Sequence, residues 1–241
     1  MVPTAAILTI GNEVVSGDVP NTNATWLAQR LESLGVRVVL AAAVPDELEA
    51  IGDVLRRERE RVGVVVVTGG LGGTPDDITR EAVAAAFGVG QDEVPELADE
   101  LRARFPKHPD YAARWARLPT GSTPLRNPHG GAPGFMLGNV WVLPGLPSEM
   151  EAMFDANAEQ FRGERPISAW RRSYATRESE IVHLLTGATV RWPTVTIGSY
   201  PRFPPGGPEV EIVLKSADPS ALAQAVAWLE PLLANAAVRG A

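Results

Sequence analysis

Cysteine is absent from the 241-residue chain, which excludes disulfides, thiolate metal sites and a cysteine nucleophile. A basic surplus is missing too. Lys and Arg total 22 against 29 Asp and Glu, a net charge of −7, whereas nucleic-acid binders usually show a basic face. The longest apolar stretch, Val62–Val67, is strand-sized, far short of the roughly 20 residues of a membrane helix. Met1-Val2-Pro3-Thr4 carries no basic segment leading into an apolar one. A cytoplasmic protein with neither a membrane nor a nucleic-acid partner is expected. His108, His129 and His183 lack metal-binding spacing, no G-x-S-x-G elbow is present, and no internal repeat is visible.

What is present is an ordinary globular balance, 45% hydrophobic and 21% charged. Ala5–Ile10 reads as a buried strand. Asn21–Leu34 reads as a helix with Trp26, Leu27, Leu31 and Leu34 at helical spacing and Gly35 as its stop. Val36–Ala42 is a second strand, and Pro45-Asp46 opens a helix to about Arg61 whose charged end, Arg56–Arg61, is expected to be solvated. Four valines, Val64–Val67, suit a central strand covered on both faces, and a helix is predicted from Pro75 to Phe87. This alternation predicts a three-layer α/β domain with a largely parallel sheet. Glu96–Phe105 reads as a helix, Pro119–Gly134 as a long loop, Val140–Leu143 as a strand, and Leu143–Ser148 as a turn into a helix. Composition shifts at Gly163–Pro166, so residues 1–163 and 164–241 are expected to form two domains. The second reads as a small α+β module in the order β-α-β-β-α.

The segment Thr68–Thr79, T-G-G-L-G-G-T-P-D-D-I-T, is the strongest candidate for chemistry. Glycines after a strand allow close approach of a ligand to the backbone. Thr74 suits an N-cap, Pro75 the first helical position, and Asp77 the third, where a carboxylate bonds back to the cap. Such an end offers free N–H donors and a favourable dipole to an anion. It has neither the Lys of a Walker loop nor a G-x-G-x-x-G pattern. Asp76 and Asp77 could reach a phosphate through a divalent metal; a capped turn without a ligand is the plainer alternative. Gly11-Asn12-Glu13, Asn21-Thr22-Asn23 and Asp46 lie after the first two strands, at the sheet edge where ligands of open parallel sheets bind. Simple helix capping would equally explain Asn21, Asn23 and Asp46. Asn127–Gly134 and Leu143–Met150, with capping-box spacing from Ser148 to Glu151, form a weaker third segment.

Together, T-G-G-L-G-G-T-P-D-D-I-T, G-N-E, N-T-N-A and L-P-G-L-P-S-E-M resemble the CinA-like proteins, whose N-terminal domain has the molybdopterin-binding fold shared with MogA and MoaB. Glu178-Ser179-Glu180 and Gly198-Ser199-Tyr200-Pro201 resemble that family's small KH-like domain. The family usually has Gly-Asp-Glu at Gly11-Asn12-Glu13 and Gly-Pro-Thr at Gly72-Gly73-Thr74. The amidase domain of longer CinA proteins has no counterpart here, so no deamidase activity is expected. The resemblance implies a pyrophosphatase acting on ADP-ribose or a dinucleotide such as FAD, dependent on Mg²⁺, Mn²⁺ or Co²⁺. A molybdopterin-binding role in cofactor assembly is the alternative. Asp46 and Asp77 are the expected catalytic residues, and Glu13, Asp76 and Asp77 the expected metal ligands. The nucleotide or pterin is expected on Gly11, Glu13, Asn21, Asn23, Thr68, Gly69, Gly70, Leu71, Gly72, Thr74, Asn127, Pro144 and Gly145. A homodimer is expected. An RNA-binding tail is disfavoured, because Pro205-Gly206-Gly207-Pro208 is a poor G-x-x-G loop in an acidic chain.

Overall fold

The computed structural model describes residues 3–239. The chain divides into two compact units, Met1–Gly163 and Glu164–Ala241. The first contains, in order, β1 (Thr4–Ile10), α1 (Asn12–Ser16), α2 (Thr22–Ser33), β2 (Arg37–Val44), α3 (Leu48–Arg61), β3 (Val64–Thr68), α4 (Thr79–Phe87), β4 (Gln91–Glu93), α5 (Pro95–Arg104), α6 (Pro109–Ala113), β5 (Arg117–Pro119), β6 (Thr123–Leu125), β7 (Gly134–Leu137), β8 (Val140–Leu143) and α7 (Pro147–Ala156). Its main sheet has the order β2-β1-β3-β8-β7-β6. The first four of these strands are mutually parallel; β7 and β6 continue the sheet antiparallel.

Valine runs are buried on both faces because helices cover both. Ala6, Leu8, Val65, Val67, Val140 and Val142 pack with Ile51 and Leu55 of α3, Val83 of α4 and Leu101 of α5. The alternate residues Ala5, Ile7, Val66, Trp141 and Leu143 pack with Leu27 and Leu31 of α2 and with Met150, Met153 and Phe154 of α7. The two-residue strand period sends neighbours to opposite layers. Each fully buried aliphatic side chain contributes about 1.5–3 kcal/mol. Phe154 adds a stacked contact to Phe161 and an edge contact to Trp26.

Several expectations change. The loop expected over Pro119–Gly134 contains β6, an edge strand that tolerates Pro124 because its outer side needs no ladder partner. The charged end of α3 is not wholly solvated: Glu58 is fully buried and accepts from Arg57 Nε at 2.7 Å and Arg61 Nη1 at 3.0 Å. The helix expected from Pro75 begins four residues later, at Thr79, with Ile78 as its cap. The capping box expected at Ser148 is absent. Leu146 caps α7 without a side-chain bond, and Pro147 opens it.

The second unit has β9 (Ser168–Tyr174), α8 (Glu178–Arg191), β10 (Thr196–Arg202), β11 (Glu209–Ser216) and α9 (Pro219–Arg239). Its antiparallel sheet, β10-β11-β9, shares a core with the helices through Ile181, Ile212, Leu214, Ala225 and Leu229. No helix among the described residues is long and apolar enough to cross a membrane.

Two glycines separate backbone strain from steric clash. Gly69 has φ +104° and a Cβ there would lie 2.2 Å from the Ile10 carbonyl oxygen; Gly88 has φ +68° with open space around it. Gly88→Ala is expected to cost about 1–2 kcal/mol, the left-handed penalty alone. Gly69→Ala should cost well over that, about 3 kcal/mol or more, because backbone must also move. Urea unfolding of both variants checks the ranking, and equal losses would refute it.

Candidate functional site

A cleft of about 460 Å³ opens beyond the carboxyl ends of the parallel strands. Its walls come from Ile10, Gly11 and Glu13 after β1, Asp46 after β2, Gly69–Gly72 with Asp76 and Asp77 after β3, and Pro144–Leu146 with Glu149 after β8. Trp115, Gly131 and Ala132 close it. This is the edge at which open α/β sheets bind ligands, since strand ends there deliver loops to one crevice.

Asp77 organises the glycine loop. Its Oδ1 accepts from the Gly72 amide at 2.8 Å; its Oδ2 accepts from the Thr74 amide at 2.8 Å and from the Thr74 hydroxyl. The Asp77 amide returns a bond to the Thr74 carbonyl at 3.1 Å. Thr74 and Asp77 therefore make the reciprocal pairing expected of them, but around a turn outside the helix. On the other side of the loop, Arg80 is 6% exposed and donates to the carbonyls of Leu71 at 2.8 Å and Gly72 at 2.9 Å. Thr79 Oγ1 donates to the Gly69 carbonyl at 2.9 Å. The carbonyls of the loop are thus drawn toward α4. The Gly69 amide is spent on Leu143, and among the described residues the amides of Gly70, Leu71 and Gly73 meet no protein acceptor. Of these, Gly70 and Leu71 line the cleft and remain for an anion, rather than the whole run Gly69–Gly73; Gly73 lies outside its walls.

The carboxylates crowd. Glu13, Asp46, Asp76, Asp77 and Glu149 all line the cleft, and no basic side chain does. The Asp46 carboxyl is pushed above the ordinary range, first by burial and then by the charges of Glu13, Asp76 and Asp77; a bond from the Asn12 amide, at 2.8 Å, opposes the rise. Asn12 Oδ1 accepts from the Asp46 amide at 3.3 Å, so Asn12 ties the ends of β1 and β2 together. Asp46 does not cap α3; Glu47 holds that position. The Asp76 carboxyl is held below the ordinary range, chiefly by the Thr74 hydroxyl and then by its own amide.

Other expected site residues serve the scaffold. Asn21 caps α2, its Oδ1 accepting from the Ala24 amide and the Thr9 hydroxyl. Asn23 is buried and donates to Thr68 Oγ1 at 3.1 Å and the Gly145 carbonyl at 2.8 Å, while Thr68 Oγ1 donates to the Pro144 carbonyl at 2.7 Å. This network locks β3 to the loop after β8; Asn23 and Thr68 do not line the cleft, whereas Pro144 and Gly145 do. Asn127 braces its own turn through the Ala132 carbonyl and the His129 amide; it is Gly131 and Ala132 that reach the cleft. Thr74 lies outside the cleft walls, and the buried side chain of Leu71 leaves its backbone for a ligand. Trp115 was not anticipated, and Leu146 and Glu149 fall within the third candidate segment, Leu143–Met150, without having been singled out. For Glu149 a signal existed, its place in the first turn of the helix after Leu143–Ser148; Trp115 comes from a distant segment and carried none.

Among the described residues, no group of three or more His, Cys, Asp or Glu is disposed to hold a metal ion by itself. The expected ligands Glu13, Asp76 and Asp77 line the cleft together but do not form such a group, so a cation there would need further oxygens from a ligand or water.

Residues 6–162 match the family described as "Probable molybdopterin binding domain", and residues 173–240 match the middle domain of FAD synthase. The latter replaces the KH-like description expected of the second unit. A protein of Archaeoglobus fulgidus is 36% identical over 231 residues, covering 94% of this chain and 96% of that one. A CinA-like protein of Frankia casuarinae is 40% identical over 166 residues, which is 64% of this chain but only 38% of that longer protein. The crystal structure of the protein CinA of Thermoplasma acidophilum, described as of unknown function, superposes with a TM-score of 0.63 at 32% identity, covering 66% of this chain and 98% of that one. By sequence, by fold and by the loops that meet at its strand edge, the chain belongs to the molybdopterin-binding domain family and is CinA-like.

Proposed function

We propose that the cleft hydrolyses the phosphoanhydride bond of a nucleoside diphosphate-linked substrate of the ADP-ribose or FAD type. The observation that carries this reading is the pairing of free loop amides with a wall of five acids and no basic residue. Amides alone would attract a phosphate, but the acids would repel it unless a cation joined them. Glu13 and Asp76, with Asp77 adjoining, would hold a divalent ion together with ligand oxygens, and such an ion would neutralise charge and polarise the phosphoryl oxygens. The amides of Gly70 and Leu71 stabilise the negative charge that grows on the attacked phosphoryl group. Asp46 takes a proton from water as the water oxygen bonds to phosphorus. The bridging P–O bond breaks and its electrons leave with the second phosphate. The raised Asp46 carboxyl suits this task, because a base titrating nearer the working pH transfers protons more effectively.

A second reading, binding of a phosphorylated pterin without hydrolysis, is favoured by the family description of residues 6–162. The two separate in one assay series with ADP-ribose, FAD and pterin, each with Mg²⁺, Mn²⁺ and Co²⁺. Metal-dependent release of nucleoside monophosphate supports the first; tight pterin binding with no turnover of any diphosphate supports the second.

Asp46→Asn should lower turnover roughly 10²- to 10⁴-fold, the usual contribution of a general base, and should remove the acidic limb of the pH–rate profile. Unchanged turnover would eliminate Asp46 as the base. The same variant should gain stability. A carboxyl raised in the folded state binds protons more tightly there than in the unfolded chain, so stability falls as pH climbs from the ordinary value of 3.8 through the raised one. Asp46→Asn is therefore expected to melt higher than the parent at pH 7, and the gap should close below about pH 3.8. Melting curves across pH check the sign.

A further inference from the structure

A second cavity, of about 140 Å³, lies beside the glycine loop and shares Gly72, Asp77 and Trp115 with the cleft. Its chemistry is opposite. Arg80, Arg114 and Arg117 line it together with Gln91 and Trp115. Among the described residues neither Arg114 nor Arg117 has an ion-pair partner, whereas most arginines of this unit's surface do. Arg80 uses its guanidinium on two loop carbonyls and has five N–H groups in all. The side-chain nitrogens Gln91 Nε2 and Trp115 Nε1 are buried and reach no acceptor. Both are donors. A buried donor left unpaired costs about 1–3 kcal/mol, and here two occur in one wall, beside three guanidinium groups.

Two carboxylates also line the cavity, and their charges act on Arg80, which leaves Arg114 and Arg117 as the arginines without an ion-pair partner among the described residues. Asp77 already accepts from Gly72 and from Thr74. Glu81 is exposed to water. The wall is rigid where it matters: Trp115 is held between the edges of Phe105 and Tyr111, at 5.4 Å and 5.7 Å between ring centres. Tyr111 in turn lies against Gly73, where a Cβ would fall 2.1 Å from its hydroxyl oxygen. Gln91 is fixed by the pairing of β4 with β5 opposite Pro119.

We propose that this cavity is an anion subsite taking one phosphate group, held by Arg114 and Arg117 at the mouth and by the Gln91 amide and Trp115 indole within. The space is large enough for one phosphate group. Planar arginine forks suit phosphate oxygens, and the buried Gln91 and Trp115 nitrogens meet an acceptor there once side chains shift to admit it. The phosphate is either free or carried by the ligand of the neighbouring cleft. The subsite does not depend on hydrolysis in the cleft, only on the donors named.

The test titrates inorganic phosphate into the metal-free protein and follows nitrogen–proton spectra, with the Trp115 indole assigned through Trp115→Phe and the Gln91 amide through Gln91→Leu. Both signals are expected to shift on saturation, and phosphate should raise the melting temperature by mass action. Arg114→Gln combined with Arg117→Gln should weaken phosphate at least tenfold. Gln91→Leu should weaken it about threefold or more while leaving the ligand-free protein as stable as the parent or more so, which shows that the loss is not one of folding. Signals that stay in place at saturating phosphate, or undiminished affinity in the double variant, would overturn the subsite and leave the hydrolytic reading untouched. Adding a nucleoside diphosphate to the phosphate-loaded protein then tells the two sources apart. Displacement shows that one ligand spans both cavities, and joint occupancy shows a separate anion.

Discussion

The carboxylate of Asp77 is the point around which the site is folded. A glycine-rich stretch has no side chains to hold a shape, and its conformational entropy works against any single one. Asp77 counters this with bonds to two amides and a hydroxyl of the loop it follows. Hydrogen bonds to a charged acceptor each contribute about 1.5–3 kcal/mol. Binding these amides from within rotates the adjoining carbonyls toward Arg80 and leaves other amides facing the cleft. One interaction thereby sets the donors of the site, the late start of α4 and the burial of a guanidinium.

That arrangement sorts charge. The cleft side collects Glu13, Asp46, Asp76, Asp77 and Glu149, while Arg80, Arg114 and Arg117 gather beside the same loop. Burial first, and then the charges of Glu13, Asp76 and Asp77, push the Asp46 carboxyl above the ordinary range. The strain is tolerable because Asn12 braces Asp46 from both of its backbone-facing sides, with an amide to the carboxylate and a carbonyl to the amide. An aspartate at position 12 would keep the amide bond but add another charge to the group. Asn12 thus trades a carboxylate for a less repulsive brace.

Much of this was legible in the residues, for local reasons. Valine runs between glycines announce a central strand, because only a strand covered on both faces buries every neighbour. Gly69 and Gly70 were recognisable as positions of close approach, and both carry positive φ. Asp46 and Glu13 were placed at one sheet edge by strand order alone. The start of α4 was misjudged, since Thr74, Pro75 and Asp77 fit a capped helix locally; the Asp77 carboxylate instead closes a turn through the Gly72 and Thr74 amides, and the helix starts only at Thr79. Polar residues near the edge also misled. Asn21, Asn23 and Asn127 carry the same chemistry whether they meet a ligand or a backbone carbonyl, and only their partners decide. Trp115, Arg114 and Arg117 were invisible because they reach the loop from about forty residues downstream, after α5 and α6, and no spacing rule connects them to it.

The shared wall has a consequence for ligand choice. Gly72, Asp77 and Trp115 face both cavities, so a ligand on either side presses on the same loop. An anion among the arginines withdraws donors from the loop carbonyls or reinforces them, and either change reaches the amides of Gly70 and Leu71 within two residues. A cation with a phosphate in the cleft would draw on Asp77 and loosen its hold on Gly72. Ligands on the two sides would then be coupled through one carboxylate, and coupling of this kind is reciprocal: whatever one ligand does to the affinity of the other, the other does in return. The closeness of an acid-rich and an arginine-rich cavity favours ligands with phosphates at two places over those with one.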